Sequence, residues 1–335
     1  MAAGIDDVAR AAGSYAGPVT GSTRRLAGGP PHARDRIPAP ALFFASGLTQ
    51  YLGAALAIGL FAVMPPATVA WLRLVIAAVV LVLWRRPWRQ SWSRHELRVL
   101  IEFGVVLAAM NITFYTAIHY LPLGTAVAIE FSGPVAVGAI TGRGWRERAA
   151  IALAAVGVVL LAGVTLELDR PASGSRGPIA PHPAPGVLAG HEATLGLVAI
   201  VLAATFWAGY ILIGRRVSQH GSGVTNLSMA MAAGAIVFTP ALAWWALPMV
   251  TSWSAALAVV GVAVLSSVIP YAIDQVVMRR TSAATFAVLL AMLPATAMIV
   301  GVVVLGQIPR TLEVVGLTLV SGAIALTMAR RRAVA

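Results

Sequence analysis

Long apolar stretches dominate this chain and limit what it can fold into. A helix needs about 20 apolar residues to cross a bilayer, and ten segments between residues 41 and 329 meet that requirement. The predicted spans are 41–63, 66–84, 99–119, 122–141, 149–165, 195–214, 223–247, 254–276, 283–305 and 312–329. Hydrophobic residues make up 59% of the 335 residues, charged residues only 11%, and the mean hydropathy is +0.85. This composition excludes a soluble domain, so we predict an all-α membrane protein with ten transmembrane helices.

The arginines predict how these helices are oriented. All 24 basic residues are arginine, and 20 of them share one side of the membrane if the N-terminus is cytoplasmic. Only Arg170, Arg176 and Arg310 fall on the other side, and Arg73 lies within a span. Because cytoplasmic loops carry an excess of basic residues, both termini are expected in the cytoplasm of a multi-pass protein of the plasma (inner) membrane. The net charge of +12 then reflects topology in a lipid bilayer, and no nucleic-acid partner is predicted.

A linker divides the predicted spans into two sets of five. Residues 166–194 form the longest loop and are rich in proline and glycine, which is typical of a linker. We expect a first five-helix repeat at 41–165, a periplasmic or extracellular linker at 166–194, and a second five-helix repeat at 195–329. Residues 1–40 lack the apolar core of a signal peptide and are expected to form a disordered cytoplasmic tail.

Two spans carry the same residues at the same spacing. Thr125 and Pro134 in the fourth span are matched by Thr285 and Pro294 in the ninth, 160 residues further along. The ninth span comes five spans after the fourth, an odd number, so the two segments run through the bilayer in opposite directions. Such inverted repeats are typical of secondary transporters, which expose one midplane site alternately to each side. The pattern therefore predicts two inverted five-helix repeats and alternating access.

Two charged residues deep inside spans form the candidate site. A carboxylate at the centre of a span costs about 2.5 to 3.5 kcal/mol on insertion scales, so Glu130 is expected to have a partner or a function. At 1.5 Å per residue, Arg73 and Glu130 both lie roughly 10 to 12 Å from the outer surface. One interpretation is a buried ion pair that only fixes helix packing. The other, which we favour, is a site where Arg73 binds the carboxylate of a zwitterionic amino acid, and Glu130 accepts the ammonium group or exchanges a proton.

Further polar and aromatic residues within spans are candidates for the same site. Each of them offers hydrogen-bonding groups or an aromatic face, and they are Gln50, Asn111, Tyr115, Trp207, Tyr210 and Tyr271. The alternative for each is a contact between helices, since polar side chains also hold helices together in membranes. Asn111 is the strongest of them, because a buried amide is costly to leave unpaired.

Other classes of protein lack their characteristic residues in this chain. There is no cysteine, and the six histidines lack the spacing of metal ligands, so we predict no cofactor and no metal site. The sequence has no nucleophile–base motif and no P-loop, which argues against an intramembrane enzyme and against an ATP-driven pump. A drug or nucleotide-type metabolite transporter stays open as the alternative, and it would require a wider and more aromatic cavity.

The fourth span resembles a known family. Residues 121–137, LPLGTAVAIEFSGPVAV, closely resemble the fourth helix of the threonine/homoserine exporters in the EamA branch of the drug/metabolite transporter superfamily. Shorter matches follow in order in the second, third, sixth and eighth spans, at residues 72–74, 110–115, 207–212 and 270–271. The resemblance covers about residues 40–329, and it implies ten helices in two inverted EamA repeats and export of small amino acids or related metabolites. Protons are the expected coupling ion.

The chain departs from the exporter pattern around its ninth span. The exporters typically carry a glutamate just before the proline, where this chain has Leu293, and a Gly-Glu pair where this chain has Gly306 and Gln307. A family carboxylate near the end of the eighth helix is present as Asp274, which we expect at the cytoplasmic interface beside the arginines at 279 and 280. These differences bear on the substrate more than on the fold.

Overall fold

Helices make up all the regular structure that is described. The computed structural model describes residues 38–141, 145–168, 191–217, 223–281 and 289–329, and within them every regular element is helical. The prediction of an all-α chain is confirmed for these ranges. Nearly all of the predicted tail, most of the linker and the beginning of the ninth span lie outside the described residues.

Six α-helices precede the linker in the described part of the chain. They are α1 Ala39–Leu60, α2 Pro66–Arg85, α3 Arg94–Tyr120, α4 Leu123–Glu130, α5 Ser132–Thr141 and α6 Trp145–Leu168. Proline stands in the first turn of α1 and α2, where its missing N–H costs no helical hydrogen bond. At the start of α3, Ser93 Oγ accepts from the Glu96 N–H and the Glu96 carboxylate accepts from the Ser93 N–H, so a capping box fixes the beginning of this long helix.

Seven α-helices follow the linker within the residues that the structure describes. They are α7 Glu192–Val217, α8 Gly223–Leu242, α9 Leu247–Thr251, α10 Trp253–Ala263, α11 Ile269–Arg280, α12 Leu293–Leu305 and α13 Thr311–Ala329. A π-helical turn, Val264–Val268, joins α10 to α11.

The apolar helices fall where the spans are predicted. Among the described residues, five helices are long and apolar enough to cross a membrane, namely Ala39–Leu60, Pro66–Arg85, Arg94–Tyr120, Glu192–Gly214 and Val224–Thr251. Shorter apolar helices of 10–17 residues lie at the other predicted positions: Leu123–Gly138, Arg148–Gly163, Trp253–Val268, Leu293–Leu305 and Thr311–Leu326. The chain is therefore a helical membrane protein with several spans.

The fourth and ninth spans are interrupted near their prolines. The fourth consists of α4 and α5, which separate after Glu130, because Pro134 has no N–H to donate to the Glu130 carbonyl. In the ninth, residues 291–292 form a turn ahead of α12, in which Pro294 is the second residue. The two interruptions are 160 residues apart, as the two prolines are. Irregular backbone at membrane depth is tolerated where it is buried inside protein.

Helices of the first half pack mainly against helices of the second. The α3 helix packs against α7 and α8, while α10 packs against α1 and α2. The α4 helix packs against α12, and α6 packs against α13. When the two halves are exchanged, the contacts of α3 with α7 and α8 correspond to those of α10 with α1 and α2. The interior of the protein therefore lies between the halves.

Glycine permits the closest of these approaches, between α3 and α8. A Cβ atom at Gly104 would lie 2.0 Å from the carbonyl oxygen of Ala230, and one at Gly234 would lie 2.3 Å from the carbonyl oxygen of Gly104. No larger residue fits at either position. Small residues at such crossings let helices pack by direct backbone contact within a bilayer.

Candidate functional site

Arg73 on α2 is held by three side chains, two from α3 and one from the π-helical turn. Its Nη2 donates to Asn111 Oδ1 on α3, and its Nη1 donates to Ser266 Oγ in the π-helical turn at 3.3 Å. The guanidinium carbon lies 5.1 Å from the ring centroid of Tyr115, within the range of a cation–π interaction. The structure thus brings together three predicted site residues and adds a serine from the second half.

Both hydrogen-bond acceptors of Arg73 are oriented by their own helices. Asn111 Nδ2 donates to the Leu107 carbonyl at 2.7 Å, which leaves its Oδ1 to accept from Arg73. Ser266 Oγ donates to the Val262 carbonyl at 2.5 Å, so a lone pair faces the guanidinium. On its other side Ser266 is packed against α1, since a Cβ at Gly53 would lie 2.8 Å from its backbone nitrogen. Asn111 and Ser266, which form a cradle around Arg73 together with Tyr115, are therefore held in place by the protein before any ligand binds.

Arg73 keeps unused hydrogen-bonding capacity. Arginine has five N–H donors, and two of those on Arg73 bind a residue that the structure describes. Its Nε is buried without a partner, as is the hydroxyl of Tyr115, and so is Gln50 Oε1 on α1. An unpaired buried polar group costs about 1–3 kcal/mol, so a polar ligand that satisfies these atoms would be bound favourably.

Glu130 lies at the break between α4 and α5. Its side chain is half-buried and forms no hydrogen bond or ion pair with any residue that the structure describes. Arg73 and Tyr51 lie close enough to interact with its charge. The two opposite charges therefore face the same region of the bundle without forming a direct ion pair.

The remaining predicted site residues occupy different surroundings. Trp207 packs edge-on against Phe131, with ring centroids 4.6 Å apart, and so contacts the residue that follows Glu130. Tyr210 stacks on Phe103 at 4.6 Å, within the contact between α3 and α7. The side chain of Tyr271 lies outside the described part of the structure.

Sequence reasoning missed Ser266. Serine is unremarkable in a span, and its role appears only when the π-helical turn places it opposite Arg73. One signal was available: Pro270 follows Ser266 by four residues, so the Ser266 carbonyl loses its regular helical donor. A polar residue at such an interruption is a stronger candidate than one in a continuous helix.

Asp274 lies in the middle of α11, six residues before its end, and is buried against α1. Only 6% of its surface is exposed, and its Oδ1 accepts a hydrogen bond from Ser46 Oγ at 2.7 Å. This contact joins α11 to α1. The sequence did not single out the Ser46 hydroxyl as a partner of Asp274, and the Arg279 side chain lies outside the described part of the structure.

Apolar helices from the two halves meet around Arg73, a charged residue with unused hydrogen-bond donors. This arrangement is typical of a membrane transporter. The EamA-like transporter family matches residues 194–329. The threonine/homoserine exporter RhtA of Escherichia coli K12 is 31% identical over 250 residues, which is 74% of this chain and 77% of that protein. RhtA of Salmonella typhimurium LT2 is 32% identical over the same length. The chain belongs to the EamA-like transporter family and is a membrane exporter of the drug/metabolite transporter type.

The contact between Arg73 and Ser266 can be tested through stability. Ser266→Ala removes one acceptor of a charged donor and should lower the free energy of unfolding by about 1.5–3 kcal/mol. Ser228→Ala is the matched control, because that hydroxyl is equally buried but donates only to the Thr225 carbonyl of its own helix. Unfolding in detergent, followed by tryptophan fluorescence, measures both variants. Equal losses would show that Ser266 does not hold Arg73.

Proposed function

We propose that this protein exports small neutral amino acids of the threonine or homoserine kind, or related metabolites, by proton-coupled alternating access. One observation carries the proposal: Arg73 sits inside the bundle with two fixed acceptors and unused donors, and no carboxylate is bonded to it within the described residues. The relatives, named as threonine/homoserine exporters, support an amino acid as the substrate.

A zwitterionic amino acid matches the charges of the site. Its carboxylate would bind the free N–H groups of Arg73, which form a planar fork suited to two parallel hydrogen bonds. Its ammonium group would be drawn to Glu130, which has no other cation bonded to it in the described structure. The cradle of Asn111, Ser266 and Tyr115 holds Arg73 in place. Gln50, Trp207, Tyr210 and Tyr271 complete the proposed set of lining residues.

Proton coupling follows if one carboxylate serves two ligands. Glu130 would carry either a proton or the substrate ammonium, because both neutralise the same charge. A half-buried carboxylate inside a membrane is stabilised by neutralisation, so the empty site would return in its protonated form. This exclusive occupancy produces exchange of one proton for one amino acid.

Two inverted repeats are the arrangement that we propose for the helices. Support comes from packing contacts that have counterparts when the halves are exchanged, and from helix interruptions 160 residues apart. The repeats would span 41–165 and 195–329, with 166–194 as the linker and 1–40 as a cytoplasmic tail. All ten apolar helices would then cross the membrane.

The proposed orientation places both termini in the cytoplasm of a multi-pass inner-membrane protein. The excess of arginine in the segments on that side supports the orientation, and exposed tryptophans mark where the spans reach the two membrane interfaces. Trp84 and Trp88 lie at the end of the second span on the predicted inner face, and Trp244, Trp245 and Trp253 lie where the seventh span ends and the eighth begins, on the predicted outer face.

Labelling of introduced cysteines tests this orientation. The native chain contains no cysteine, so one placed at residue 180 is the only target. It should react with an impermeant maleimide from the outside of intact cells, because the linker is predicted to be external. Labelling only after the cells are opened would overturn the topology.

Transport of labelled amino acids tests the function. Purified protein in vesicles should move threonine or homoserine faster when a pH gradient drives proton movement against the substrate. The panel should include a larger aromatic amino acid and a nucleoside, which the alternative drug or nucleotide-type function would favour. Transport of these compounds without threonine or homoserine would contradict the proposal.

Substitutions of Glu130 and Arg73 should affect different kinetic parameters of transport. Glu130→Gln should abolish gradient-driven transport and leave a stable protein, because the amide retains the size of the side chain. Arg73→Gln should raise the apparent KM for carboxylate substrates by about 10- to 100-fold, since charge-assisted hydrogen bonds contribute about 1.5–3 kcal/mol. If Arg73 and Glu130 served only to pack the helices, each single variant would lose stability, and replacing both residues by leucine would restore stability and transport together.

A further inference from the structure

The turn between α12 and α13 contacts the beginning of α4, across the boundary between the halves. Gln307 Oε1 accepts from the Leu123 N–H at 3.0 Å, and Glu313 Oε1 accepts from Thr125 Oγ1 at 3.4 Å. The other carboxylate oxygen, Glu313 Oε2, accepts from the Arg310 N–H at 2.8 Å. The second half therefore binds the first turn of the helix that ends at Glu130.

Local backbone geometry aims Gln307 at α4. Gly306 ends α12 in the left-handed conformation with φ 67°, and the Gln307 N–H returns to the Gly301 carbonyl at 2.9 Å. The Gly306 N–H is directed to the same Gly301 carbonyl, so the left-handed glycine ends α12 and turns the chain back over its last turns. The Gln307 side chain then passes over Gly301, where a Cβ atom would lie 2.8 Å from Oε1. Glycine at both positions lets the amide reach across to Leu123.

The contact supplies a cap that α4 lacks. The first N–H groups of a helix have no partner within the helix, and α4 is preceded by Pro122, which makes no side-chain cap. Gln307 provides that cap from the opposite half. Because α4 has only eight residues, movement of its first turn is transmitted directly to Glu130 at its other end.

Polar contacts and a pocket interrupt the apolar packing between the halves at the first turn of α4. A pocket of about 220 Å³ is lined by Thr125, Gln307, Arg310 and Glu313 among others. Next to it, α4 lies against the backbone of α12, since a Cβ at Gly124 would be 3.0 Å from Met298 Cα. A few hydrogen bonds can break and re-form at little cost, whereas interdigitated side chains resist separation.

We propose that Gln307 and Glu313 form a latch that closes this face of the transporter and must release α4 in every transport cycle. Gln307 is then a positioning residue, which acts on Glu130 through α4. The inference rests on the proposed alternating access, but it does not depend on which substrate is carried. It also assigns a role to a position at which the chain differs from the exporter pattern.

A reversible cross-link tests whether the latch opens. In the double variant Gly124→Cys/Met298→Cys the two Cβ atoms would start about 3.1 Å apart, and a shift of a few tenths of an ångström reaches disulfide geometry. Oxidation should reduce threonine transport to that of empty vesicles, and reduction should restore it. Each single cysteine variant, oxidised in the same way, is the control. Undiminished transport with complete cross-linking would overturn the latch.

A second measurement stays informative if threonine is not a substrate. A cysteine at Ala126, which is fully buried on α4, should react with a small thiol reagent only when the latch opens. Adding Gln307→Ala should raise the labelling rate by about fivefold, the population change expected from loss of one hydrogen bond. Gln307→Glu keeps an acceptor for the Leu123 N–H and should label slowly. Equal rates in all three backgrounds would contradict the proposal, whichever substrate the protein carries.

Discussion

A guanidinium group inside a bundle of apolar helices needs polar or aromatic partners from the protein, because an uncompensated charge among apolar groups is costly. Around Arg73 the solvating groups are an amide, a hydroxyl and an aromatic face, contributed by Asn111, Ser266 and Tyr115. They belong to different spans and to both halves of the chain. Stabilising the charge of Arg73 therefore constrains the position of α2 relative to α3 and to the π-helical turn.

Two interruptions of regular helix lie next to the same site. Proline removes a backbone donor just after Glu130, and a second proline follows the turn that contains Ser266. Such interruptions are unfavourable in lipid and tolerable only inside the protein. They also let short helices such as α4 move as separate pieces. A site built at these points can bind a polar ligand and change shape with it, which continuous helices do less readily.

Much of this architecture was predictable from the sequence, because a bilayer sets strict conditions. The apolar segments had to be helices, and the described residues confirm that they are. The high energetic cost of charge marked Arg73 and Glu130, and the cost of a buried amide marked Asn111, which proved to be a partner of Arg73. Local residue chemistry was sufficient for those inferences.

Other features depend on contacts between distant residues. Ser266 is 193 positions from Arg73, and Gln307 is 184 from Leu123, so no local pattern indicates either contact. Tyr210 was chosen for its aromatic ring, but its environment is a stacking contact with Phe103. The break after Glu130 was implicit in Pro134, yet a proline kink and two separate helices look alike in sequence.

The central claim is that Arg73 receives the carboxylate of the transported amino acid. The most direct measurement is a structure of the protein in lipid with threonine or homoserine bound. The account predicts the substrate carboxylate within about 3 Å of the free N–H groups of Arg73, as expected for a charge-assisted hydrogen bond, with the ammonium group toward Glu130. A substrate bound elsewhere, with Arg73 still held only by Asn111 and Ser266, would contradict it.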